Sequence, residues 1–211
     1  MNNYKIFRWL AERKIPLDVG FAQSLSDLAA EYQRRNHIRR IDEVYKLIGI
    51  RRQLLFHWRM NPYSTQTKND FKREVIKRAA DLFEVNGERL ANRAGLSLHI
   101  DKNFHTHLQD LIDRSHKSCH EIYTEAQISE RVFYLIRRGR TPTKITLTAI
   151  AIVLNTDIDE ILRRAGYVLS SSIAYDMVLK WLIERKYTII DINNTLYNLD
   201  LPLLMVRNKK S

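Results

Sequence analysis

The chain has 211 residues, 35 Lys and Arg against 24 Asp and Glu, and a formal charge of +11, an excess that points to a polyanionic partner, either nucleic acid or an anionic membrane surface. A single cysteine, Cys119, excludes an intramolecular disulfide, and no apolar run approaches the roughly 20 residues of a membrane span, so a reducing cytoplasm is expected and neither a signal peptide nor a membrane helix is. Six glycines and four prolines in a text rich in Leu, Ile, Arg, Lys and Glu suit helices with short connections, and the expected fold class is all-α.

Taken in chain order, residues 1–22 read as an N-terminal accessory helix with Ile6, Trp9 and Leu10 on an apolar stripe. A first unit spans 23–98, with helices expected over Ser26–Arg35, Ile41–Ile48, Arg51–Met60, Lys68–Phe83 and Glu88–Arg93. A second unit spans 103–170, with helices over Asn103–Lys117, Cys119–Ala126, Ser129–Arg138, Thr143–Leu154 and Asp157–Ala165. Ser129 is placed to cap its helix, Thr156 or Asp157 to cap the last, and Gly166 to close that one in the left-handed conformation. Residues 171–211 form a C-terminal helical extension with a basic tail, its stripe made of Met177, Val178, Trp181 and Leu182.

The two units are copies of one pattern. Glu43–Asn61 set above Glu121–Gly139 pairs Glu43 with Glu121, Tyr45 with Tyr123, Ile50 with Ile128 and Arg59 with Arg137, and keeps Val44/Ile122, Leu55/Phe133 and Trp58/Ile136 apolar. Glu88–Leu98 then aligns with Glu160–Leu169, the first copy having the longer connection around Asn61–Asp70. A shorter echo joins the ends, where Trp9-Leu-Ala-Glu-Arg-Lys14 recurs as Trp181-Leu-Ile-Glu-Arg-Lys186.

The second copy resembles the Cro/C1 (XRE) helix-turn-helix family at Ile122 and Tyr123, at Gln127, Ile128 and Ser129 of the turn, at Phe133 and Ile136 of the reading helix, and at Gly139. It departs from that pattern in three places: Tyr123 for a small residue, Gln127 for glycine, and Arg137 for glutamate. The resemblance implies two tandem five-helix units, similar to lambda repressor and flanked by accessory helices, that bind double-stranded DNA in the major groove. Carried over position by position, it assigns base reading to Arg51, Arg52, Gln53, Phe56 and His57 in the first copy, and to Ser129, Glu130, Arg131, Tyr134 and Leu135 in the second. Phosphate contacts fall to Arg40, Arg59 and Lys68, and to Arg138, Arg140, Thr141, Thr143 and Lys144.

The implied function is a sequence-specific transcriptional regulator in the cytoplasm of a prokaryote or its phage, associated with the nucleoid. Two alternatives stand beside it: a protein-interaction module on degenerate helix-turn-helix units, and an architectural DNA-binding factor in recombination or phage development. The terminal helices are the surface a homodimer would use. His105, His107, His116, Cys119 and His120 gather in one stretch but match no zinc spacing, so no metal or other cofactor is expected. Without a phosphate-cradling glycine loop or a nucleophile with its base, neither an enzyme nor a small-molecule substrate is expected.

Overall fold

The computed structural model describes residues 4–61 and 68–204, and among these every regular element is a helix, with no β-strand. None of the described helices is long and apolar enough to cross a membrane. The expected Asn61–Asp70 connection lies largely outside the described residues, and so does the basic tail beyond Leu204.

The helices are α1 (Tyr4–Glu12), α2 (Phe21–Arg35), α3 (Ile41–Leu47), α4 (Arg52–Met60), α5 (Asn69–Phe83), α6 (Gly87–Arg93), α7 (Phe104–Arg114), α8 (Cys119–Glu125), α9 (Glu130–Arg137), α10 (Lys144–Val153), α11 (Ile158–Arg164), α12 (Ala174–Glu184) and α13 (Ile189–Asn198). They divide between two compact bodies: one holds residues 15–98 and 169–177, the other the described parts of 4–14, 99–168 and 178–204.

In the body built on 15–98, α2 packs against α3, α4, α5 and α6. Leu25, Ala29, Val44, Ile48, Ile76, Ala79 and Ala91 are almost wholly removed from water there, and the Phe21 and Trp58 rings meet at 5.4 Å. Each buried Leu, Val or Ile among them stabilises the fold by about 1.5–3 kcal/mol before chain entropy is set against it, and each alanine methyl by less. Helix α2 starts at Phe21, inside the segment expected to belong to the accessory helix and five residues before Ser26. Gly20 supplies the extended N-cap, and burying Phe21 and Ala22 rewards the extra turn.

In the other body α10 is the central element, with Thr146 through Ala151 and Val153 all buried, and it packs on α8 and α11. Phe133, Ile122, Leu147, Ile150, Ile161 and Leu162 close around it. Ser129 accepts the Val132 N–H and Asp157 the Glu160 N–H, so the expected cap of α9 is present and Asp157 rather than Thr156 starts α11. Gly166 has φ +80° immediately past α11, as expected of it. Helix α7 is shorter than expected at its end, stopping at Arg114, because His116 turns left-handed at φ +55°. The C-terminal extension contains two helices, α12 and α13, the second capped by Thr188 accepting the Asp191 N–H.

Candidate nucleic-acid interface

The junctions α3–α4 and α8–α9 are built alike. After α3, the Gly49 N–H bonds the Lys46 carbonyl at 3.0 Å and the Ile50 N–H bonds the Tyr45 carbonyl at 3.0 Å. After α8, the Gln127 N–H bonds Thr124 O at 3.1 Å and the Ile128 N–H bonds Tyr123 O at 3.0 Å. Both are Schellman closures, which need one left-handed residue, and Gly49 (φ +79°) and Gln127 (φ +54°) supply it. The apolar residue that follows, Ile50 or Ile128, is buried and locks the turn to the core.

The helix after each turn has one face inside and one outside. Leu55 and Trp58 of α4 are buried, while Arg52, Gln53, Phe56, Arg59 and Met60 are exposed. Phe133 and Ile136 of α9 are buried, while Glu130, Arg131, Tyr134 and Arg138 are exposed. Phe56 and Tyr134 hold equivalent places and are 65% and 43% exposed, so an outward aromatic side chain is part of the repeated pattern.

Of the remaining base-reading assignments, Arg51 is exposed at the N-cap of α4, and His57, Ser129 and Leu135 are half-buried. The Ser129 hydroxyl oxygen is occupied as a cap. Helix α4 has no side-chain cap; its Leu54 N–H bonds Arg51 O at 3.0 Å instead. Among the described residues Arg40, Arg51, Arg52, Arg59, Arg131, Arg138 and Arg140 have no carboxylate within ion-pair distance, and all are exposed. Lys68 and Thr141 are exposed as well.

Two phosphate assignments have side chains already hydrogen-bonded within the fold. Thr143 is the N-cap of α10, its oxygen accepting the Thr146 N–H at 3.2 Å, and Lys144 is half-buried with its ammonium donating to Val168 O at 2.9 Å. Arg137 is likewise committed: it donates to Gln109 Oε1 at 3.1 Å and to Cys119 Sγ at 2.9 Å, tying α9 to α7 and α8. Arg137 therefore fastens the unit from within. Sequence reasoning passed over Arg39 and Lys46, both exposed and, among the described residues, without an acidic neighbour in ion-pair range; the run Arg34-Arg35 to Arg39-Arg40 was the signal for the first.

The local electrostatics set the helix starts. The hydroxyl and backbone N–H of Ser118 both donate to the Glu121 carboxylate, at 2.7 Å each, and hold it below the ordinary carboxylate range. Tyr123 is pushed up by burial, and its hydroxyl is hydrogen-bonded to His120 Nδ1 at 2.8 Å. Of the clustered histidines and cysteine, Cys119 accepts from Arg137 and His120 is engaged by Tyr123, so these two serve neighbours within the unit. Among the described residues no three His, Cys, Asp or Glu side chains gather where they would hold a metal ion.

Compared with known protein families, curated proteins and solved structures, the chain matches none of them.

Proposed function

We propose that the chain is a double-stranded DNA-binding regulator of the Cro/C1 helix-turn-helix type, its two units in tandem and α4 and α9 serving as the reading helices. One observation carries the reading: the same left-handed turn, built on Gly49 and again on Gln127, leads each time into a short helix whose outer face bears arginine without an acidic partner. Unpaired surface arginine is available to phosphates and base edges, where releasing counterions favours association. Arg52 and Arg131 suit bidentate contact with guanine, and Gln53 suits adenine. Because α4 and α9 differ in sequence, the expected target is asymmetric.

The test is a fluorescence-anisotropy titration with DNA selected from a random pool. Affinity should fall steeply between low and moderate salt, and Arg52→Ala with Arg131→Ala should weaken it by about 2–6 kcal/mol in total. Unchanged retention in the double variant, or footprinting that returns a clean inverted repeat, would overturn the reading.

A second reading draws on Leu47, Phe56 and Met60, which are 56%, 65% and 59% exposed on α3 and α4. Apolar side chains so placed suit a protein partner on that unit, and binding that ignores salt would favour it.

A further inference from the structure

Helix α9 is held at both ends by side chains from other parts of its own body. At its far end Arg137 donates to Gln109 Oε1 and Cys119 Sγ. At its start the hold comes from the C-terminal extension. Asn193 of α13 donates from Nδ2 to Gln127 Oε1 at 2.8 Å, and its Oδ1 accepts the Leu204 N–H at 2.7 Å. Asn193 is 7% exposed, and Ile192, Leu196 and Leu204 around it in sequence are wholly buried, so the amide that grips the turn is itself fixed by packing. Gln127 stands two residues before Ser129, the N-cap of α9. The buried anchors of the helix, Phe133 and Ile136, come after its start, where Glu130 and Arg131 are exposed.

A glycine in the left-handed turn would be free of strain, as Gly49 is in the first copy, but it has no side chain to reach α13. Gln127 takes on the strain and supplies the acceptor. Hydrogen bonds to base edges form over a window of only about 0.5 Å, so a reading helix discriminates bases only as well as its start is held. We propose that Asn193 is a positioning residue for DNA recognition by the second unit: acting through Gln127, it lets the C-terminal extension fix where Glu130 and Arg131 stand against the base edges. The inference rests on the DNA-binding reading of α9 and adds to it a dependence of specificity on α13. Gly49 can make no such bond, so the dependence is confined to the half-site that α9 reads, the one whose preference Arg131→Ala relaxes.

The full chain and its Gln127→Met, Asn193→Leu and double variants are titrated by fluorescence anisotropy at several salt concentrations. The probes are the selected duplex and duplexes scrambled in one half-site or in both. Gln127→Met keeps the side-chain length and the left-handed backbone but offers Asn193 no acceptor; at a half-buried turn position it decides the matter even where Asn193→Leu fails to fold. Each single variant should lose about tenfold of its preference at the α9 half-site, and the double variant no more than either. Preference at the α4 half-site, affinity for the fully scrambled duplex and the salt slope should stay as they were, because no phosphate contact is touched. A loss of stability alone would weaken every duplex alike, and that outcome would overturn the proposal. So would preference kept within about twofold in Gln127→Met, or losses that add in the double variant. In those cases the native chain still binds DNA and only the role of Asn193 falls; a native chain without salt-dependent binding would overturn the DNA reading and this inference together.

Discussion

Trp9 and Trp181 meet edge to face with ring centres 5.2 Å apart and planes at 79°, and each ring carries an arginine four residues further along its own chain segment. Arg13 lies 4.0 Å over Trp9 and Arg185 lies 3.9 Å over Trp181. Arg13 donates to Trp9 O at 3.2 Å and Arg185 to Trp181 O at 3.3 Å, and both segments end in a left-handed lysine, Lys14 at φ +53° and Lys186 at φ +57°. The echo between the two ends of the sequence is thus a pair of matched helix ends joined through their tryptophans. A double-mutant cycle of Trp9→Leu and Trp181→Leu should return a coupling of about 0.5–1.5 kcal/mol in urea unfolding. A coupling of zero would show the ring contact to be incidental.

Gln127 bears a strain that Gly49 does not, since a side chain in the left-handed region costs about 1 kcal/mol or more. It has a compensation: Gln127 Oε1 accepts from Asn193 Nδ2 at 2.8 Å, and Asn193 in turn accepts the Leu204 N–H at 2.7 Å. Gln127→Ala keeps the strain and loses the hydrogen bond, so it should destabilise by about 1–2 kcal/mol. Gln127→Gly loses the bond but relieves the strain, and should be the milder change by about 1 kcal/mol. An urea midpoint lower for Gly than for Ala would contradict this account of the turn.

What the sequence made legible follows from the physics that writes it there. Buried positions at helical spacing, left-handed glycines and capping hydroxyls are local, so the helices of both copies and the roles of Ser129 and Gly166 could be read directly. Side-chain partners come from residues distant in sequence. Nothing near Lys144 signals that its ammonium ends on Val168 O, and nothing near Arg137 signals Gln109 and Cys119. The start of α2 was missed for a similar reason: Gly20 is a cap without a side-chain bond, and only the packing of Phe21 on Trp58 shows why the helix begins there. The second helix of the C-terminal extension had a readable sign, Thr188 three residues before Asp191, which went unused.

The Ser118–Glu121 capping box gives the protein a defined response to acid. Glu121 titrates below its ordinary range in the folded chain, so its contribution to stability is complete above the unfolded carboxylate range near about pH 4.3 and is lost as pH falls through the lowered folded value. Glu121→Gln should therefore be less stable than the native chain at pH 7. The difference should shrink as the solution is acidified and vanish at the acid end, read as thermal midpoints in a pH series. A difference that stays constant from neutral to acid pH would show that the carboxylate charge is not what the cap uses.

Phe56 and Tyr134 separate the role of the outer face from the role of the fold. Both lie on the outer sides of helices whose opposite sides are fixed by Leu55, Trp58, Phe133 and Ile136, and truncating Phe56, the more exposed of the two, removes little buried surface. Phe56→Ala should change the unfolding free energy by no more than about 0.5 kcal/mol, whereas Phe133→Ala, from a side chain with no exposure, should cost about 3–5 kcal/mol. On DNA, Phe56→Ala should alter preference at one or two base pairs, since an apolar group in the major groove meets a thymine methyl, and should leave the salt dependence as it was. Arg59→Ala should do the opposite, lowering affinity for all sequences and reducing the salt slope by about one phosphate. If Phe56→Ala left DNA recognition intact but abolished binding of a protein partner, the docking reading of α4 would replace the DNA reading for that unit.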